Sequence, residues 1–99
     1  MVYSRHQIWE TLGGHRETMC RLGVKRLAIF GSAARDQLSE SSDLDFLVDF
    51  ESKTFDAYMD LKELLESAFN RRVDLVLVDA IKPALREAIL SEAVDVPGF

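Results

Sequence analysis

One cysteine in 99 residues rules out an internal disulfide, so Cys20 reads as an ordinary helix residue. The first residues lack the apolar core of a signal peptide. No apolar run approaches the ~20 residues that span a bilayer. A cytoplasmic location is the expectation. Positive charge is also scarce. The formal net charge of -5 gives none of the footprint of a non-specific nucleic-acid binder. There is no His/Cys cluster with metal-ligand spacing, and His6 and His15 read as solvated helix residues. Repeats, low-complexity tracts and linkers are missing too. One domain across residues 1–99 is expected, with 47% apolar residues to build a single core.

What is present is organised around residues 27–48. An apolar run, residues 27–30, breaks at Gly31-Ser32, crosses a polar segment and returns as Asp43-Leu-Asp-Phe-Leu-Val. Strand geometry puts residues i and i+2 on one face. Asp43 and Asp45 then point the same way, with Cα atoms roughly 6.5–7 Å apart. Carboxylates that close repel, and a bound cation between them is the usual remedy.

The remaining elements follow from periodicity. Residues 4–22 predict a helix capped by Ser4, with Ile8, Leu12, Met19 and Leu22 on one face and a weak point at Gly13-Gly14. Residues 24–30 predict a strand, and 33–37 a short helix starting at Ser32. Residues 39–42 predict a turn and 44–50 a second strand. In that strand Leu44, Phe46, Val48 and Phe50 share one face; Asp43, Asp45, Leu47 and Asp49 share the other. Thr54 caps an amphipathic helix running to about residue 70, with Phe55, Tyr58, Leu61, Leu65 and Ala68 on its apolar stripe. Residues 73–78 predict a third strand, in which Asp74 is the odd polar residue. Pro83 opens a last helix whose stripe is Ile81, Leu85, Ala88 and Ile89. Residues 94–99 read as a frayed tail.

This order implies an α/β (α+β) fold: a small mixed sheet of about three strands flanked by helices. A full helix joins the second and third strands, so they are expected to be parallel. Asp43 and Asp45 open one and Asp74 opens the other, so the three carboxylates converge at one end of the sheet. Three aspartates make a hard oxygen site that suits magnesium or manganese. Two such ions, roughly 3.5–4 Å apart, can hold both oxygens of an in-line displacement. The Gly31-Ser32 turn offers backbone N–H groups and a hydroxyl to an anion, and Arg35 adds a cation. Asp49, roughly 13 Å along the strand from Asp45, reads as a strand-end charge. Arg71-Arg72 reads as a solvated turn.

Gly31-Ser32, Arg35, Ser42-Asp43-x-Asp45 and Asp74 together resemble the signature of the polymerase-beta-type nucleotidyltransferase superfamily. The pattern is most similar to the minimal nucleotidyltransferase (MNT) group, including the Lys-Pro-x-Leu-Arg start of the last helix at residues 82–86. The resemblance implies a nucleotidyltransferase fold. It implies that Asp43, Asp45 and Asp74 bind two Mg2+ ions, with Asp74 also orienting or deprotonating the acceptor hydroxyl. Gly31 and Ser32 would bind the β- and γ-phosphates of ATP, supported by Arg35. Asp36 departs from the family's usual glycine.

MNT proteins of this size are similar to antitoxins of two-gene toxin–antitoxin pairs (type VII-like) whose partner is a HEPN-type ribonuclease. The implied reaction transfers AMP from ATP to a tyrosine of that toxin and releases pyrophosphate. Two alternatives share the resemblance. One is a catalytically weak antitoxin that acts by binding the toxin, favoured by Asp36. The other is the catalytic subunit of a small-molecule nucleotidyltransferase, disfavoured because no acceptor domain is visible.

Overall fold

The computed structural model describes residues 4–35 and 43–99. The first helical stretch divides in two: α1 (Arg5–Gly13) and α2 (Arg16–Arg21). The break falls at the expected glycine pair, where propensity is weakest. Ser4 and Gln7 form a reciprocal capping box, each side chain accepting from the other residue's backbone N–H at 3.2 and 2.8 Å.

Four strands form one mixed sheet in the order β3-β2-β1-β4. They are β1 (Val24–Phe30), β2 (Leu44–Phe50), β3 (Val73–Leu77) and β4 (Val94–Asp95). β1 runs antiparallel to β2 and β4. β2 and β3 are parallel, as the helical connection α3 (Phe55–Phe69) requires. α3 starts at Thr54, whose hydroxyl accepts from the Ala57 N–H at 3.0 Å, and ends at Asn70 in a left-handed conformation. A short 3-10 turn (Val78–Ala80) leads to α4 (Pro83–Glu92).

The period-2 pattern of β2 decides the layering. Leu44, Phe46, Val48 and Phe50 enter the main core with Leu27, Ile29, Val73 and Leu75, covered by Ile8, Leu12, Met19, Leu61, Leu65 and Phe69. Phe46 and Phe69 meet with ring centroids 5.9 Å apart at a 41° tilt. Leu47 faces the other side, where Ala28, Ile81, Val76, Ile89, Leu90 and Ala93 make a thinner second cluster.

Several expectations need correction. The sheet has four strands, not about three: the tail folds back, and Val96 is buried, donating its N–H to the Leu27 carbonyl at 2.8 Å. A two-residue strand has no periodicity of its own, and only its distant partner β1 defines it. Asp95 also pairs with Arg26 at 2.8 Å and raises the arginine's pKa. Residues 31–35 form a turn closed by Arg35 N–H to Gly31 carbonyl at 3.2 Å; the rest of the short helix expected at 33–37 lies outside the described residues. Asp36, Gln37 and the expected turn at 39–42 lie outside the described residues.

Phe55 is 77% exposed and Leu85 53% exposed, and Ala88 is exposed as well. α4 buries no residue fully and meets the sheet through Ile89 and Leu90 in its C-terminal half. Its contact stripe is thereby rotated from the expected one.

Phe46→Ala should cost about 3–5 kcal/mol, because it empties the centre of the main core. Phe55→Ala should stay within about 0.5 kcal/mol, because that ring is in solvent. Urea unfolding midpoints at unchanged m-value measure both.

Candidate active site

The site begins where β1 ends. Phe30 pairs with Asp45 across the antiparallel ladder, and Gly31 turns the chain away immediately afterwards. Gly31 has φ +68°, and a Cβ there would collide with Asp45 Oδ2. Glycine is thus required twice, by the backbone and by the carboxylate pressed against it. Ala33 and Ala34 bury behind the turn, and the Ala34 carbonyl accepts from Arg5 Nη2 at 2.6 Å.

Asp45 and Asp74 are register partners on the parallel pair β2–β3. Their strand neighbours Phe46 and Leu75 enter the main core, so both aspartates occupy the opposite face. Two hydrogen bonds fix the starts of these strands. The Leu44 N–H donates to the Arg72 carbonyl at 3.1 Å, and the Val73 N–H donates to Glu66 Oε2 at 3.1 Å. Asp43 is exposed, one residue ahead of β2.

Charge crowding is greatest at Asp45. Burial, then Asp74, then Asp43 push its pKa up from 3.8 to about 6; Arg35 opposes this and Glu92 adds to it. Oxygen donors that repel one another in this way fit a hard divalent cation, which would relieve the repulsion. Among the described residues no three ligating side chains are gathered into a ready-made metal cluster. Asp43, Asp45 and Asp74 all lie among those residues, so the three-carboxylate ligand group expected from the sequence is not assembled as such here.

Sequence reasoning missed Glu92. Its Oε1 accepts from the Gly31 N–H at 3.0 Å and from Arg35 Nη1 at 2.7 Å. It ends α4 in an unremarkable Ser-Glu-Ala, with no local signal to mark it. Asp43, Asp74, Arg35 and Glu92 all lie within electrostatic reach of Asp45, and Gly31 packs against it; Ser32 follows Gly31 in the turn. Asp49 pairs with Arg26 towards the other end of β2, and His6 pairs with Glu10 on an exposed helix face.

A Gly-Ser turn closing one strand beside aspartates that open two parallel neighbours is the architecture of a nucleotidyltransferase. The chain belongs to the Nucleotidyltransferase domain family, which matches residues 12–96. It is 36% identical over 90 residues to the protein adenylyltransferase MntA of Thermococcus cleftensis, covering 89% of this chain and 91% of that protein. A solved structure provisionally described as a minimal nucleotidyltransferase superposes with TM-score 0.72 at 42% identity, over 87% of this chain and 93% of the other. The fold extends to a chain of the solved complex of a tri-AMPylated Shewanella oneidensis HEPN toxin with an MNT antitoxin. There the TM-score is 0.58 at 19% identity, over 88% and 72% of the two chains.

The raised pKa of Asp45 has a stability consequence in metal-free protein. The native carboxyl binds its proton more tightly than the unfolded chain does. The resulting stabilisation is complete below about pH 4 and lost as pH rises to about 6. Asp45→Asn should flatten that window and leave the protein more stable than wild type at pH 7, read as urea midpoints against pH in chelator. Gly31→Ala should destabilise by at least about 1–2 kcal/mol through its left-handed φ alone. Thermal unfolding checks that loss.

Proposed function

We propose that this protein is a magnesium-dependent protein adenylyltransferase and the antitoxin of a HEPN/MNT pair. In this reading it acts as a single domain in the cytoplasm and transfers AMP from ATP to a tyrosine of the partner toxin. The observation that carries the reading is the placement of Asp45 against Gly31 and opposite Asp74. In this reading, that placement sets carboxylates that would hold metal beside a turn that would take phosphate. The MntA relative and the MNT–HEPN complex support a protein acceptor and a HEPN toxin as partner. No helix among the described residues is long and apolar enough to cross a membrane.

Asp43 and Asp45 would hold two magnesium ions, and Asp74 would complete the site nearer the acceptor. The ions, when bound, would supply charge neutralisation on the transferring phosphoryl group. Gly31 and Ser32 would hold the β- and γ-phosphates through N–H and hydroxyl donors, with Arg35 adding positive charge. The tyrosine oxygen forms a bond to the α-phosphorus as the bond from that phosphorus to the β-bridging oxygen breaks. The hydroxyl proton passes to Asp74, and pyrophosphate leaves.

With ATP, magnesium and its HEPN partner, the protein should add AMP to the partner, seen as a discrete gain in intact mass. An unchanged partner mass would overturn the proposal. Asp43→Asn and Asp45→Asn should each slow transfer at least about a hundredfold, since losing an outer-shell group already costs up to that much. If Asp43→Ala/Asp45→Ala protein still rescues growth against the toxin, binding alone neutralises it and chemistry is dispensable.

A further inference from the structure

Glu92 sits where the proposed reading puts phosphate. One carboxylate oxygen accepts from both the Gly31 N–H and the Arg35 guanidinium. A phosphate oxygen seeks the same kind of donors: a free N–H on a tight turn and a nearby guanidinium. One N–H cannot serve both in full. Glu92 also adds negative charge beside Asp45, so nothing in the aspartate group holds it there; the two donors do. The Glu92 side chain is 38% exposed, which leaves it room to swing into water. It is the last residue of α4, and Val94 pairs with β1 two residues later. Its backbone is therefore fixed beside the turn, and only the side chain has to move.

We propose that Glu92 is an internal occupant of the phosphate seat, a carboxylate that the nucleotide's triphosphate must displace from Gly31 and Arg35 to bind. This rests on the reading of the Gly31 turn as that seat. Glu92 then sets nucleotide affinity below what the empty seat would give. It also protects the turn's donors when no nucleotide is present. A protein carrying such an occupant binds nucleotide in proportion to the fraction of time the seat is free.

The test is calorimetric titration of wild type, Glu92→Gln and Glu92→Asp with Mg·ATP and, separately, with magnesium tripolyphosphate. The first variant removes the charge; the second keeps it but shortens its reach, so one remains informative if the other fails to fold. If the seat is about nine-tenths occupied, freeing it lowers the apparent Kd about tenfold. The same gain should appear for tripolyphosphate, because the competition involves neither base nor ribose. Unchanged or weaker binding by folded variants, with measurable wild-type binding, would overturn the inference and leave the seat itself standing. So would a gain confined to ATP. If no folded form binds either ligand, the phosphate-seat reading falls and Glu92's role falls with it.

Discussion

The repulsion among Asp43, Asp45 and Asp74 is the interaction around which the structure is arranged. Asp45 is partly withdrawn from water and faces two like charges, so its carboxyl holds a proton up to about pH 6. A fold gains nothing by this for its own sake. It persists because β2 has no freedom to turn the other way. A one-residue slip would drive Asp45 into the main core and force Phe46 and Val48 onto the thinner opposite face, where only Leu47 is now accommodated from β2. Core packing thus compels an electrostatically unfavourable edge, and a divalent cation with a polyphosphate would complete it.

The two faces of the sheet divide the work. α1, α2 and α3 bury one face under large side chains and hold the register of β2 and β3. The other face is covered lightly, by Ile81 and the C-terminal half of α4. The aspartates and the Gly31 turn lie at the rim of this thinner side. The end of α4 reaches the turn through Glu92, so a helix that buries no residue fully touches the Gly31 N–H and the Arg35 guanidinium.

Much of this was legible in the chain. The alternation Leu44-Asp-Phe-Leu-Val gave both the faces of β2 and the side on which Asp45 stands. A helix-length connection gave the parallel pairing that sets Asp74 opposite it. Ser4 and Thr54 marked helix starts by side-chain chemistry, and the Gly13-Gly14 pair marked the weak point at which the first stretch divides. What escaped depends on partners far away in sequence. β4 is two residues long and exists through β1. Glu92 meets Gly31 across 61 residues. Leu85 and Phe55 look like core by periodicity, but both stand exposed in the first turn of their helices.

The central claim is that the aspartate edge and the Gly31 turn are one site for a metal-bound polyphosphate. Anomalous diffraction from a crystal grown with Mn2+ and a non-hydrolysable ATP analogue tests it most directly. The account predicts a manganese peak coordinated by Asp43 and Asp45, with phosphate density on the N–H groups of Gly31 and Ser32. Manganese bound elsewhere, or a triphosphate seated away from that turn, would contradict it.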